Sequence, residues 1–473
     1  MSNEIRKPKL LEALLPIIIL AICLCVGIIF YEASAHIPLV IGSIIASLVA
    51  LRLGFKWKDL EKGFINSIQM SMQSIIILMI IGIIIGSWIL SGTVPTMIYY
   101  GLKIISPGIF LLATCIMCSI VSLATGSSWT TVGTVGIALL GIGQGLGFST
   151  PLVAGAVISG AYFGDKMSPL SDTTNLAPAM AGSELFDHIK HMIYTTGPSM
   201  IIALVLYGIL GLKYAGKELD VTQINIILDG LQRSFNITPL LLIPPVIVIT
   251  LVVKKIPAIP GLIAGAILGG LFAILFQSSS FGDVINVMNL GYVGNSGVKM
   301  VDELLNRGGL QSMMSTVSLI MCAMTFGGIM EKSGCLGLLA ESLLKLAVNT
   351  GSLILVTVVS CIFTNLISGD QYLSIVIPGR MYKDEYAKRG LAPKNLSRTL
   401  EDAGTMTSCL IPWSNCGAFM SSTLSVPTLS YLPFAFLNLI NPIVAIFYGY
   451  TGITIEKIKP ENMESEKNSS LNI

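Results

Sequence analysis

Polar side chains that could bind a small cation interrupt the apolar sequence in four short segments. Each segment combines hydroxyl, amide or carboxylate groups with a nearby glycine or proline. Their oxygen atoms are hard donors, which suit a hard cation such as Na+. The candidate ligands are Thr125, Ser127 and Ser128; Asp165, Ser171, Asp172 and Thr173; Asn365, Ser368 and Asp370; and Ser414 and Asn415.

Asp172 and Asp370 are the strongest candidates, because they place negative charge within apolar sequence. A carboxylate without a partner at membrane depth costs several kcal/mol, and binding a metal ion or a proton relieves that cost. Na+ and H+ would therefore compete for one group, which is sufficient for exchange of the two ions. Transported Na+ is the metal expected at Asp172 and Asp370, and no resident cofactor is expected.

The four segments form two pairs that are related by an internal repeat. Gly126 and Gly369 lie 243 positions apart, and the same offset places Cys118 on Cys361 and Pro169 on Pro412. It also places Ser171 on Ser414, Asp172 on Asn415 and Ser127 on Asp370. The sequence therefore predicts that one ancestral half has been used twice.

The composition predicts that lipid surrounds most of the chain. Hydrophobic residues make up 53% and charged residues 11%, and the mean hydropathy is +0.80. The net charge of +2 is spread over loops and tails without a basic stripe, which argues against a nucleic-acid partner. Helices are the expected spanning form, because the apolar runs lack the alternation of a barrel. They lie near 11–30, 37–51, 68–90, 193–212, 239–253, 259–276, 313–330 and 428–450.

Between these runs, residues 106–182 and 351–424 are predicted to contain re-entrant hairpins and broken helices. Gly369 precedes Arg380 by eleven residues. Eleven helical residues rise about 16 Å, roughly half of a hydrocarbon core, so the hairpin tip should lie near the midplane. Such irregular backbone is tolerated only where it lines a cavity or binds a ligand.

Loop charge predicts the orientation. The basic groups expected to be cytoplasmic are Arg6, Lys7 and Lys9; Arg52 to Lys62; Lys254 and Lys255; and Arg380 to Arg398. The fold class predicted is an all-α polytopic membrane protein, with about ten transmembrane helices in two inverted repeats, two re-entrant hairpins and two broken helices. The predicted parts are a cytoplasmic tail (1–9), a first repeat (10–212), an external connector (213–237), a second repeat (238–452) and a second cytoplasmic tail (453–473).

A fifteen-residue segment, Gly-Ala-Tyr-Phe-Gly-Asp-Lys-Met-Ser-Pro-Leu-Ser-Asp-Thr-Thr, closely resembles the signature region of NhaC-type Na+/H+ antiporters. It spans 160–174, and Gly-Ser-Ser-Trp-Thr-Thr at 126–131 and Ile-Pro-Trp-Ser-Asn at 411–415 resemble the same family. The resemblance covers nearly the whole chain and implies paired re-entrant hairpins and an elevator-like mechanism, as in the larger ion transporter superfamily. It also implies a bacterial cytoplasmic membrane. Elevator transporters often dimerise, so a homodimer is compatible with the resemblance.

Structural roles compete with ion binding at several of these residues. Asp172 could cap a helix, and Asp370 could be a turn residue at the hairpin tip. Asp165 has Lys166 beside it, so a structural ion pair is as good an interpretation as ion binding. Glu401 and Asp402 are expected in a cytoplasmic vestibule, either attracting cations or forming solvated pairs.

Several aromatic and histidine residues have two interpretations as well. His188 and His191 are expected on an amphipathic connector at the interface, either as pH sensors or without a special role. Trp129, Tyr372 and Trp413 flank the breaks, where they could gate a cavity, contact an organic substrate or pack between helices.

The function predicted is secondary active exchange of Na+ for H+, and the protein is not expected to be an enzyme. The resemblance also allows Na+- or H+-coupled exchange of a small organic acid or amino acid, including malate and lactate. No basic residue is clearly placed at the midplane, which argues against a dicarboxylate held by arginine. A distant alternative is an intramembrane aspartyl protease, because Gly164-Asp165 and Gly369-Asp370 are both Gly-Asp pairs in apolar sequence.

Overall fold

A computed structural model describes residues 5–31, 34–104, 106–215, 221–254 and 256–458 of the chain. Lys255 and parts of both predicted tails and of the predicted connector lie outside these ranges. The described residues form helices joined by loops, together with one isolated β-bridge between Leu391 and Lys457. The predicted all-helical fold is therefore confirmed.

The first half contains the helices that carry the first pair of polar segments. Two of its helices, α6 and α7, are joined by a π-helical turn at Val132–Gly136. In order they are α1 (Leu10–Tyr31), α2 (His36–Arg52), α3 (Trp57–Leu90), α4 (Thr93–Ile104), α5 (Pro107–Thr125), α6 (Ser128–Thr131), α7 (Ile137–Gly145), α8 (Thr150–Met167), α9 (Asp172–Ala181) and α10 (Leu185–Ala215).

The second half follows α11 (Val221–Ser234), which falls within the predicted connector. A second π-helical turn, Glu401–Thr405, joins α20 to α21. The helices are α12 (Ile243–Val253), α13 (Ala258–Gln277), α14 (Phe281–Leu290), α15 (Lys299–Leu305), α16 (Met314–Lys332), α17 (Cys335–Leu344), α18 (Thr350–Ser368), α19 (Gln371–Lys388), α20 (Pro393–Leu400), α21 (Met406–Ser408), α22 (Asn415–Leu424), α23 (Thr428–Tyr431) and α24 (Phe436–Thr451).

Many of these helices are long and apolar enough to cross a membrane. Among the described residues, 7 helices meet this condition, and up to 9 spans exist if each of two sharply bent pairs is one span. The bent pairs are 224–234 with 239–251, at 94°, and 428–434 with 436–451, at 60°. Their length and composition confirm a multi-pass membrane protein.

All four predicted helix breaks are present, and they recur at the predicted offset. Helix α18 begins and ends 243 residues after α5, and α22 begins and ends 243 residues after α9. Gly126 and Gly369 end their helices with φ of 68° and 66°, a left-handed conformation that favours glycine. The inverted orientation of the halves and the domain boundaries remain predictions.

Close helix contact places the polar segments of the first half together. Helix α8 packs along α5, and a Cβ atom on Gly160 would lie 2.2 Å from the Cys115 carbonyl oxygen. A Cβ atom on Gly164 would lie 2.3 Å from the Leu123 backbone nitrogen. Glycine is therefore required at both positions, and the contact brings the end of α8 beside the end of α5.

Candidate functional site

A cavity of about 360 Å³ lies where the helix breaks of the two halves meet. Helix α3 and the segment before α13 complete its wall. The described residues that line it are Gln73, Ser74, Ile77, Thr125, Gly126, Ser127, Ser128, Trp129, Asp165, Leu170, Ser171, Asp172, Thr173, Ile256, Pro257, Ala258, Gln371, Tyr372, Asn415 and Cys416. Among these residues the charged side chains are Asp165 and Asp172, so the described wall carries only negative charge.

Asp165 connects the end of α8 to the tip of the first hairpin. The Ser128 backbone N–H and hydroxyl donate to its Oδ2, with donor–acceptor distances of 3.0 and 2.6 Å. The residue is 8% exposed. Donors to a carboxylate make stronger hydrogen bonds than donors to a neutral oxygen, so this arrangement stabilises an ionised Asp165.

Asp172 is exposed at the cavity wall, whereas Asp165 and Asp370 are buried. Ser171 occupies the N-cap position of α9, and Asp172 is the first residue of the helix. The alternative that Asp172 caps the helix is therefore wrong. The Tyr372 hydroxyl donates to its Oδ2 at 3.4 Å, across the boundary between the halves. The amino terminus of α9 provides a partial positive charge that favours this carboxylate.

Asp370 is fully buried beside the cavity and does not belong to the residues that line it. Its Oδ1 accepts from the Leu373 backbone N–H at 2.9 Å, so Asp370 caps α19 at the hairpin tip, where the structural alternative places a turn residue. Its Oδ2 accepts from the Ser71 hydroxyl at 3.0 Å and from the Asn415 amide at 2.9 Å. Three donors therefore satisfy this carboxylate. Its expected role as an ion ligand remains a prediction.

The two halves use equivalent contacts with different charges. Asp165 corresponds to Ser408, and Ser128 corresponds to Gln371, each by the offset of 243. The Ser408 hydroxyl donates to the Gln371 side-chain oxygen at 3.1 Å. The contact between Asp165 and Ser128 therefore recurs in the second half without a formal charge. The cavity is thus acidic on the side of the first half and neutral on the side of the second.

The remaining predicted ligands are divided between the cavity and the surrounding helix ends. Thr125, Ser127, Ser171, Thr173 and Asn415 line the cavity. Ser127 and Ser414 cap the helices that follow them, and Ser368 bonds to the Thr364 carbonyl.

Asn365 lies further from the cavity wall. Its amide nitrogen donates to the Gly404 carbonyl at 2.7 Å, and its side-chain oxygen has no hydrogen-bond partner among the described residues.

Several lining residues were missed by the sequence reasoning. Gln73 and Ser74 lie on α3, far from any helix break. The available signal was a run of polar side chains in an apolar helix, which includes Gln69, Ser71, Gln73 and Ser74. Gln371, equivalent to Ser128, could have been found by applying the repeat to the predicted ligand.

Lys166 is fully buried and forms an ion pair with Asp402, also fully buried. The expected pairing of Lys166 with its neighbour Asp165 is therefore wrong, because successive residues of a helix point in different directions. Asp402 also accepts from the Thr195 hydroxyl at 2.9 Å and the Asn441 amide at 2.7 Å. Lys166 is thus a buried basic residue beside the break after α8. The expectation that no basic residue lies at the midplane stays a prediction.

Glu401 and Asp402 are both 0% exposed, so their predicted place in a solvated vestibule is wrong. His188 and His191 are also buried, at 0% and 1%, on α10 rather than on an exposed connector. In each case the charged or polar sequence suggested that these side chains are exposed to solvent. Packing of α10 against α8 and α20 encloses these side chains instead.

The aromatic residues beside the breaks have separate roles. Trp129 lines the cavity and stacks on Phe419, with ring centroids 4.0 Å apart, and Tyr372 also lines the cavity. Trp413 instead donates its indole N–H to the Leu366 carbonyl at 2.8 Å, which stabilises the second hairpin. The expectation that at least one of them packs between helices is confirmed.

Comparison with known proteins agrees with this architecture. Residues 160–453 match the Na+/H+ antiporter family. The Na+/H+ antiporter NhaC of Alkalihalophilus pseudofirmus is 44% identical over 429 residues, covering 90% of this chain and 92% of that protein. The Na+/H+ antiporter NhaC of Bacillus subtilis is 42% identical over 434 residues, covering 91% and 96%. The malate-2H+/Na+-lactate antiporter of B. subtilis is 39% identical over 466 residues, covering 98% and 99%.

Proposed function

The chain belongs to the Na+/H+ antiporter family, and we propose that it exchanges Na+ for H+ across the bacterial cytoplasmic membrane by alternating access. The observation that carries this proposal is the pair of carboxylates, Asp165 and Asp172, in a cavity whose described lining residues include no lysine or arginine. A cation or a proton must supply the positive charge that the described wall lacks.

Both ions can meet this need at the same two side chains. Na+ prefers carboxylate and hydroxyl oxygens, and Asp165 lines the cavity while Ser128 donates to its Oδ2. When Na+ leaves, a proton on Asp165 or Asp172 removes the repulsion between two carboxylates that share one cavity. Binding of one ion therefore opposes binding of the other, as exchange requires.

The cavity supports access from one side at a time. Ile256 to Ala258, which line it, follow Lys254 in a loop that the charge pattern places in the cytoplasm. We therefore assign the present conformation to a cytoplasm-facing state, with both termini in the cytoplasm. Helix breaks that meet at one cavity are suited to alternating access, because irregular backbone at membrane depth is tolerated where it lines such a cavity.

A second candidate is coupled exchange of a small organic acid, which the cavity size favours. A volume of about 360 Å³ is far larger than one Na+ needs and falls within the range of small-molecule sites, roughly 300–1,000 Å³. The relative named for malate and lactate supports this reading. The acidic wall opposes it, because a carboxylate substrate would approach Asp165 and Asp172 without a lysine or arginine partner among the described lining residues.

Flux measurements in proteoliposomes test these proposals. An imposed Na+ gradient should drive H+ movement, read by an internal pH dye, without any organic solute. A double variant, Asp165→Asn with Asp172→Asn, is the inactive control. Absence of Na+-driven H+ movement in the wild type would refute the main proposal. Movement that requires malate, lactate or an amino acid would establish the second candidate in its place.

A further inference from the structure

Glu401 is a buried carboxyl group that the cation cavity does not use. It begins the π-helical turn Glu401–Thr405 and is 0% exposed. Neither of its carboxyl oxygens has a hydrogen-bond partner among the described residues. Buried carboxyl groups are nearly always hydrogen-bonded, and π-helical turns are frequent at functional sites. Both observations call for a role beyond packing.

The charged groups that act on Glu401 come mainly from α8. Lys166 is the cation that influences Glu401, but its ammonium group is already bound to Asp402. Asp165 adds a like charge from the same helix. The Thr173 hydroxyl, from α9, and the Thr405 hydroxyl also face the carboxyl group, and neither is in hydrogen-bonding geometry. No hydrogen bond or ion pair among the described residues joins Glu401 to Asp165 or Asp172.

Other elements packed against this turn also carry titratable groups. Helix α18 contributes the Cys361 thiol, and Arg398, in the same segment as Glu401, lies 3.9 Å from Asp402. Helix α24 contributes the neutral Asn441 amide, bonded to Asp402. The further titratable groups are His188 and His191 on α10, and Tyr382 and Tyr386 on α19, whose hydroxyls bond to Ser360 and Thr357.

Burial without a hydrogen-bond donor disfavours the ionised form of Glu401, and the Lys166 ammonium group partly offsets this effect. An ionised carboxylate would be buried without a donor and beside the like charge of Asp165, whereas a protonated carboxyl group carries no charge. Lys166 cannot neutralise both Glu401 and Asp402, because its ammonium group contacts Asp402. A change in the charge nearby therefore shifts the balance between the protonated and the ionised form of Glu401.

We propose that Glu401 is a second proton-binding site, separate from the cation cavity, that releases its proton when a cation binds at Asp165. The inference rests on the proposed function. A cation at Asp165 cancels the like charge that opposes ionisation of Glu401, so cation binding favours loss of the proton. In that step the carboxyl O–H bond breaks, its electron pair stays on the carboxylate, and the proton passes to water. The Thr173 side chain lines the cavity and faces Glu401, so it lies on the route of the proton to water.

Glu401→Gln tests the proposal, because it keeps the size of the side chain and removes the proton site. In proteoliposomes, exchange of labelled Na+ for unlabelled Na+ should stay within about twofold of wild type, since it needs no net proton transfer. The number of protons moved per Na+, obtained from the reversal potential, should fall, and the pH dependence of Na+/H+ exchange should flatten. Glu303→Gln on α15, where the side chain is 66% exposed, is the matched control and should leave all three readouts unchanged.

Two outcomes would refute the proposed role of Glu401 without contradicting the proposed Na+/H+ exchange. One is a wild-type proton ratio and pH profile in Glu401→Gln. The other is loss of Na+ for Na+ exchange together with proton coupling, which would indicate a structural role. If Glu401→Gln does not reach the membrane, Glu401→Asp is used instead. The aspartate variant should keep the number of protons moved per Na+ and shift the pH profile. An unshifted pH profile refutes the proposal. Failure of the wild type to move H+ with Na+ refutes the proposed function itself.

Discussion

Replacing Asp165 by asparagine separates its contribution to cation binding from its contribution to the hairpin. The substitution preserves the shape of the side chain and an acceptor for the Ser128 hydroxyl and N–H, at 2.6 and 3.0 Å in the present structure. It removes the negative charge that faces the cavity. We expect Asp165→Asn to insert and fold, and to bind Na+ much more weakly.

The size of the effect follows from Coulomb's law. A cation about 4 Å from a carboxylate is stabilised by roughly 4 kcal/mol at an effective dielectric constant of about 20, and by about 1 kcal/mol in bulk water. Asp165 is 8% exposed but lines a cavity, so its environment lies between these limits. Since each 1.4 kcal/mol is about tenfold, the KM for Na+ should rise by between about fivefold and about a thousandfold.

Ser408→Ala is the matched control, because Ser408 is the repeat equivalent of Asp165. It makes the corresponding contact to Gln371 without a formal charge. Loss of a neutral hydrogen bond costs about 1 kcal/mol, so its effect on the KM for Na+ should stay below about fivefold. Ser128→Ala removes the hydroxyl donor and keeps the Asp165 charge, which isolates the role of the hairpin contact.

The measurement is Na+-dependent H+ flux in everted membrane vesicles, titrated with Na+ at fixed pH and normalised to protein content. An unchanged KM for Na+ in Asp165→Asn would refute the assignment of Asp165 to the cation. Equal losses in Asp165→Asn and Ser128→Ala would show instead that Asp165 acts only by holding the hairpin tip.

Four further substitutions test other parts of the molecule. Asp172→Asn should abolish coupled transport while the protein remains in the membrane, and wild-type exchange would remove Asp172 from the site. Asp370→Asn can still cap its helix, so it should fold and change the Na+ affinity or its pH dependence; an unaltered pH profile would assign Asp370 to capping alone. Lys166→Met should lower stability by about 3 kcal/mol, because it leaves the buried Asp402 with Arg398, 3.9 Å away, as its remaining charged partner. Adding Asp402→Leu should recover part of the loss in detergent melting experiments, and equal stability of the single variant and wild type would contradict this. Lys388→Cys should be shielded from impermeant thiol reagents added outside, and rapid labelling would invert the predicted orientation.

The helix breaks were predictable because each depends on local sequence. Gly126 and Gly369 adopt positive φ, and Ser168 to Ser171 form a turn that contains Pro169. A polar, glycine- or proline-containing segment in an apolar run has few other structures available in a membrane. The offset of 243 then located the second member of each pair.

The environment of charged side chains was not predictable in the same way. Polar stretches of sequence suggest exposure to solvent for four residues that are in fact buried: Glu401, Asp402, His188 and His191. Burial depends on which helices pack against these stretches, and those contacts join residues more than 200 positions apart, as for Lys166 and Asp402.

The sequence by itself determined that the chain is a helical membrane protein with two related halves and polar breaks, because hydropathy and backbone preference act over short segments. Only the tertiary structure decided which carboxylates share the cavity. Asp165 faces it because α5 and α8 pack closely at Gly160 and Gly164, and Asp370 is withdrawn because Ser71, Asn415 and the amino terminus of α19 converge on it. Those donors come from distant parts of the chain, and no local pattern specifies that they meet.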